Sequence, residues 1–235
     1  IRDKSAIPKS ERGAYRPLLT DRQMSKWRVP GSSSKAVFYP YVEQERLSEN
    51  DLKREFPETW KYLRQNSKAL KGRAAVRAGN LAWWSPERPR PPQHLMRPKI
   101  VSPHLVLLPR FSLDATGRFA VSHCPLMYPR VAGDEEDMLR FFLAVLNSTI
   151  AHWQIAQQSH KYSRGYLMLE PKTLRTLHVP DPAQVPVSTM KKLLANVARC
   201  LQGGGSAGAE AELDRQVAEL YGLSAEERAE IGMEG

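Results

Sequence analysis

Nine apolar side chains between Met138 and Trp153 decide most of what this chain can fold into: Met138, Leu139, Phe141, Phe142, Leu143, Val145, Leu146, Ile150 and Trp153. On a helix they nearly surround its first half, and a helix apolar on almost every side has to be buried. The acidic run Asp134-Glu135-Glu136-Asp137 just before them suits a helix start, where the positive end of the dipole favours carboxylates. The same four acids could be read as a cation site, but a helix start uses them without a metal. The sequence thus predicts one central helix from Asp134 to about Gln158. A chain of 235 residues is long enough to bury such a helix in a real core.

The other elements are shorter. Ala36-Val37-Phe38-Tyr39 reads as a strand stopped by Pro40. Ser48 with Asp51 three residues on is a helix-start signal, and Leu52, Phe56, Trp60, Leu63 and Leu70 make one helical stripe. Pro57 splits that stripe into a short turn ending near Phe56 and a second helix with Pro57 in its first turn. Seven prolines between residues 85 and 110 exclude long regular structure there, because proline donates no ladder hydrogen bond and restricts its predecessor. Ser85 to Gln93 should be an extended loop. Lys99-Ile100-Val101 and Leu105 to Leu108 read as strand pieces around Pro103. Phe111 to Asp114 and Phe119 to Val121, with a turn at Thr116-Gly117, suggest a hairpin. Tyr166 to Leu169 and Leu174 to Val179 read as strands or extended segments. Met190 to Leu201 is an amphipathic helix, and Leu213, Val217 and Leu220 form the stripe of a last long one ended by Gly222. Ser224 and Glu227 then form a capping box. The class is α+β: a small, mostly antiparallel sheet region packed with a long central helix, followed by a helical C-terminal tail.

Charge is unevenly spread. Residues 1–110 hold 23 Lys and Arg against 10 Asp and Glu, residues 111–180 hold 7 against 6, and residues 181–235 hold 5 against 9. A basic first half attracts polyanions, and nucleic acid rewards each Lys or Arg that meets a phosphate by releasing counterions. A basic protein without such a partner is the competing reading of composition alone. The longest apolar run, Phe141 to Leu146, is far short of the roughly 18 residues a membrane span needs, so no membrane partner is expected. No apolar signal segment follows Ile1, and two cysteines, Cys124 and Cys200, suit a reducing cytoplasm. Beginning with Ile rather than Met, the chain reads as a piece of a longer protein.

No catalytic motif stands out. There is no GxxxxGK[ST], HExxH or CxxC. Gly203 to Gly208 matches GxGxxG and Gly204 to Gly208 matches GxSxG, but both motifs need a preceding strand, and here a helix precedes a Gly-rich linker near 202–208. His123-Cys124 is adjacent rather than spaced for one metal, so no metal site is expected. Basic residues are better organised: Lys68, Lys71, Arg73, Arg77, Arg88, Arg90, Arg97 and Lys99 bracket Trp83 and Trp84. Such arginines and lysines can hold phosphates or guanine edges, and a tryptophan can stack on an unpaired base. The alternatives are a solvated basic face and a pair of core tryptophans. His160 to Gly165, with Lys161 and Arg164, is a second basic loop of lower charge.

The order of short segments resembles the TaqI-like C-terminal specificity domain of N6-adenine DNA methyltransferases and single-chain restriction-modification enzymes. The matching pieces are Tyr15-Arg16-Pro17-Leu18-Leu19, Val37-Phe38-Tyr39-Pro40-Tyr41, Phe56-Pro57, Trp60 to Leu63 and Leu70 to Arg73. Arg97 to Val101, Pro109-Arg110-Phe111, Asp114, Leu146-Asn147-Ser148, Lys161 to Tyr166 and Leu174 to Pro180 follow. Leu213-Asp214, Val217, Leu220 to Ser224 and Glu227 complete the series. The resemblance implies a duplex-DNA target-recognition domain over residues 1–180 and a helical C-terminal extension over 181–235, serving bacterial-type defence. It also implies a partner, the N-terminal methyltransferase domain of the same parent chain, which would bind S-adenosylmethionine and modify a flipped adenine. The Asn-Pro-Pro-aromatic motif of that domain does not occur here, so no cofactor and no catalytic residue are expected in this chain. The alternatives are a nuclease, for which only Asp114 and Glu87 offer themselves, and an interaction scaffold docking through its acidic tail.

Overall fold

Helix signals written into neighbouring residues are realised in the computed structural model, which describes residues 1–42, 45–87, 91–121, 124–131, 133–203 and 205–233. Ser48 and Asp51 form a reciprocal capping box at the helix Glu49–Glu55, and Pro57 opens the helix Pro57–Gln65. Gly222 ends Ala207–Tyr221 in the left-handed conformation, and Ser224 with Glu227 caps Ala225–Glu230. The architecture is α+β, with small mixed sheets and a helical C-terminal region.

The chain divides into two units. The first comprises Ile1–Leu19, Gly31–Arg97 and Gly117–Val121. Its sheet runs Arg2–Asp3, Lys35–Phe38, Tyr15–Leu19, Ala120–Val121, antiparallel except for the last pair, which is parallel. Helices Glu49–Glu55, Pro57–Gln65, Ser67–Lys71 and Ala74–Arg77 follow in the same unit. Ile7, Tyr15, Leu52, Phe56, Leu63 and Trp84 form its core. The expected stripe therefore packs inward, with Trp60 and Leu70 half-buried at its margin.

Gly117 is indispensable to this unit by geometry. Its φ is +66°, and a Cβ there would sit 2.3 Å from the carbonyl carbon of Arg97. Gly117→Ala is expected to destabilise the chain by at least about 2 kcal/mol, combining left-handed strain with a backbone clash. Gly79, at φ +74° with open space around its Cβ position, is the control. Gly79→Ala should show the strain alone, about 1 kcal/mol. Urea unfolding of both variants checks the difference; equal losses would show that the clash relaxes away.

The second unit comprises Thr20–Pro30, Pro98–Thr116 and Ser122–Gly235. Its larger sheet runs Leu126–Met127, Lys99–Val101, Ser112–Asp114, Trp27–Arg28, the last pair again parallel. A two-stranded sheet pairs Leu105–Val106 with Leu167–Met168. Trp27, Phe111, Phe141, Leu143, Ile155, Leu193, Val197, Leu213 and Val217 share one core. Residues 181–235, expected as an extension, form helices Val187–Gly203 and Ala207–Tyr221, whose apolar stripes enter that same core.

Four expectations are corrected. The central helix is two helices, Glu135–Asn147 and Thr149–Gln158, broken at Ser148, whose ψ is 158°. Distant partners make the break: the Asn147 amide donates to the Phe111 carbonyl (2.9 Å) and accepts from its N–H (3.0 Å). Ser148 then caps the second helix by accepting from the Ala151 N–H, and the Asp214 carboxylate accepts from the N–H and hydroxyl of Thr149 at 2.9 and 2.7 Å. Ser112–Asp114 and Ala120–Val121 enter different sheets instead of forming a hairpin. Pro92–Leu95 is a helical turn, since a proline at its start needs no N–H partner. Pro171–Leu174 is another, so the strand or extended segment expected from Leu174 begins in a helical turn, and of its two forms no strand is present over 174–179.

Candidate nucleic-acid interface

The basic excess belongs to one unit. The first unit carries 19 Lys and Arg against 9 Asp and Glu, a net of +10, while the second carries 16 against 16. Within the first unit, residues 59–86 hold Lys61, Arg64, Lys68, Lys71, Arg73 and Arg77 and no acid.

The scaffold of this stretch is set by a residue the sequence did not single out. Glu11 is buried, and its carboxylate accepts from the backbone N–H groups of Glu58 (2.8 Å) and Thr59 (2.7 Å). These are orphan donors at the start of Pro57–Gln65, where a carboxylate also meets the positive end of the dipole. Nothing in the local sequence announces this, because 47 residues separate acceptor from donor.

The helices so placed expose Lys61, Arg64, Lys68, Lys71 and Arg77. No carboxylate among the described residues forms an ion pair with any of the five. Lys61 and Arg64 were not among the candidates drawn from the sequence; the acid-free run was the signal for them. Arg73 is a tie rather than a free cation: it donates to the carbonyls of Leu70 (2.9 Å) and Trp83 (2.7 Å) and meets Glu87 at 3.4 Å.

The tryptophans pack. Trp83 lies against Trp60 with centroids 5.2 Å apart, and Lys71 covers the Trp83 ring at 5.6 Å as Lys53 covers Trp60 at 5.2 Å. Trp84 is only 7% exposed, with the Arg46 guanidinium over its ring. A ring so enclosed stacks on protein, so Trp84 is corrected from base platform to core residue. Arg97 is half-buried beside Gly117. Arg88 and Arg90 lie outside the described residues.

Lys99 is also corrected. Strand pairing sets it opposite Asp114, the two side chains are 0% exposed, and Nζ donates to Oδ2 at 2.8 Å. Burial holds the ammonium below its ordinary pKa, with Asp114 acting in the opposite sense. A side chain with no exposed surface touches no phosphate from this position. The same pairing removes Asp114 from any nuclease site, and Glu87 is an exposed partner of Arg73. Lys161 and Arg164 are exposed in the second unit. Leu139, Phe142 and Leu146 line a mostly apolar groove of about 630 Å³ in that unit, together with Leu126, Met127 and Leu174.

Three other features bear on chemistry. Helix Val187–Gly203 precedes both glycine motifs where each requires a strand, and helix Ala207–Tyr221 takes up Gly208; Gly204 lies outside the described residues. Among the described residues no group of three or more His, Cys, Asp and Glu is placed to hold a metal ion. No described helix is long and apolar enough to cross a membrane.

No family model matches the chain. It is similar to the type II methyltransferase M.PaeR7I of Pseudomonas aeruginosa, 29% identical over 224 residues, or 93% of this chain and 35% of that protein. Among solved structures, the type IIG restriction endonuclease BpuSI aligns with 97% of this chain and 28% of its own, at 13% identity and a TM-score of 0.49. The chain spans about a third of the methyltransferase it matches, so its sequence similarity is to one portion of that protein.

Proposed function

We propose that the chain is a target-recognition module that binds duplex DNA for an N6-adenine methyltransferase or restriction-modification enzyme. The observation that carries this reading is the similarity itself: nearly all of this chain corresponds to about a third of a type II methyltransferase. The chain lacks the Asn-Pro-Pro-aromatic motif. Recognition is thus assigned to this chain, and S-adenosylmethionine binding and methyl transfer to a methyltransferase domain of the parent, in the cytoplasm. The first unit, with its net +10 and, among the described residues, five exposed cations that meet no carboxylate, supplies the phosphate-binding surface. Phosphate contacts position such a module, and base contacts add specificity.

Binding of the purified chain to a pool of random duplexes tests this, with fluorescence anisotropy as the readout. Affinity is expected to fall about 10³-fold between roughly 50 and 200 mM salt, as counterion release requires for about six phosphate contacts. Replacing Lys61, Lys68 and Arg77 together by alanine should weaken binding to all sequences alike and reduce the salt slope by about 3. No binding to any duplex at low salt would refute the reading, and magnesium-dependent cleavage of a plasmid would replace it with the nuclease one.

A further inference from the structure

Two leucines stand exposed at one end of the small sheet in the second unit. Leu107 is 56% and Leu108 75% exposed, although Val106 just before them is fully buried. Val106 pairs with Leu167, and Lys161 bridges to Leu167 on the other edge. The three segments therefore lie side by side, about 4.8 Å apart. Because the pairings are antiparallel, the residues after Val106, before Leu167 and after Lys161 all emerge at the same end. That end carries Leu107, Leu108, Tyr162 (57% exposed) and Tyr166 (37% exposed). Arg164, at φ +62°, and Gly165, at φ +79°, turn the loop tightly, and the Tyr162 N–H donates to the Tyr166 carbonyl at 2.7 Å.

This tip stands on a fixed base. Leu167 and Leu169 are buried beneath it. On the far side of the leucines, Arg110 donates to the carbonyls of Met24 (2.8 Å) and Asp21 (3.3 Å), and Phe111 is held through both its backbone groups by Asn147. Leu107-Leu108-Pro109 is thus a short turn pinned at both ends, so little ordering entropy remains to be lost when it is buried. The tip is positive: Lys161 and Arg164 are exposed, and residues 98–113 and 138–169 contain no Asp or Glu.

We infer that Leu107 and Leu108 are an apolar wedge that enters duplex DNA at a base step, while Lys161 and Arg164 hold the flanking phosphates. The inference rests on the DNA-binding reading and adds to it a mode of recognition. Apolar side chains that part a base step kink the duplex, and the cost of unstacking depends on the sequence parted. Burial of two leucines offsets that cost, and the adjacent cations supply the charge complementarity that a bare apolar contact lacks. Sequence would then be read in part through deformability rather than through base edges.

The experiment compares a fully paired duplex with the same duplex carrying one central mismatch, whose unstacking is already partly accomplished. The wild-type chain is expected to bind the mismatched duplex about tenfold more tightly. Leu107→Ala with Leu108→Ala should abolish that preference while leaving the salt slope unchanged, since exposed leucines contribute no charge. Lys161→Ala with Arg164→Ala should weaken both duplexes alike and keep the preference. Equal wild-type affinity for the two duplexes, or a preference that survives loss of both leucines, overturns the wedge and leaves DNA binding standing. Failure of the wild type to bind either duplex overturns both. Leucine-dependent binding to anionic phosphatidylglycerol vesicles without a mismatch preference would reassign the tip to a lipid surface.

Discussion

Replacing Lys99 by methionine is expected to cost about 3 to 5 kcal/mol of folding stability, the range for breaking a buried ion pair from one side. The substitution removes no exposed charge. It takes the ammonium away from the Asp114 carboxylate, which stays buried with the Thr116 hydroxyl, at 3.2 Å, among its donors. Asp114→Ala should cost a similar amount by taking the carboxylate away from the buried ammonium. Joining the two substitutions should cost clearly less than their sum, because the double variant buries neither charge. Urea unfolding of the two single variants and the double variant closes the cycle. Additive losses would mean that the ions do not depend on each other. A DNA-binding lysine behaves in the opposite way: its loss leaves stability nearly unchanged and weakens affinity.

Acidification is expected to remove about 3 kcal/mol through one histidine. His152 lies on the helix Thr149–Gln158, and its Nε2 is buried with no hydrogen-bond partner among the described residues. Burial, and then the nearby Lys26 ammonium, push its pKa from the ordinary 6.5 down to about 4, against the opposing pull of Asp214 and Glu210. The folded chain therefore keeps the ring neutral where the unfolded chain protonates it. Between pH 6.5 and about 4 the unfolded state holds more protons, so stability falls as pH falls through that window and is fully retained above it. A shift of this size corresponds to about 3 kcal/mol. Lys26 is not a mobile charge here: it pairs with Glu210, which also accepts from the Trp27 indole at 2.8 Å. Unfolding free energies of the wild type and His152→Leu at pH 7, 5.5 and 4.5 test the assignment. The wild type should lose stability across the series and the variant far less. Parallel losses in both proteins would place the acid sensitivity elsewhere.

The elements that were legible in the sequence are those whose cause is local. Ser48 with Asp51, Pro57, Gly222 and Ser224 with Glu227 act within one helical turn, and each ends or begins a helix where its chemistry says it should. The apolar stripe from Leu52 to Leu63 and the crowded apolar faces of 138–153 were equally readable, since periodicity reports burial directly. Ser148 shows where such reading stops. Apolar spacing continues through it without interruption, yet Asn147 finds Phe111 and Thr149 finds Asp214, 65 residues away, and those contacts divide the helix. The resemblance had marked Leu146-Asn147-Ser148 and Asp214 as separate pieces, and the structure joins them at one helix start.

The candidate interface divides in the same manner. Composition located the basic half of the chain, because charge needs no partner to be counted. Whether a given cation faces solvent depends on what lies across from it. Lys99 sits in the same basic stretch as Lys68 and Arg77, but a strand register pairs it with Asp114, and Arg73 is taken up by Leu70, Trp83 and Glu87. Leu107 and Leu108 look in sequence like the continuation of a buried strand, and only the end of pairing after Val106 leaves them outside. The sequence by itself determined the class, the helix ends and the sign of the charge, since these follow from interactions within a few residues or from simple counting. The tertiary structure decided which cations are free, where the central helix breaks and which apolar residues face water, because each depends on a partner brought in from far along the chain.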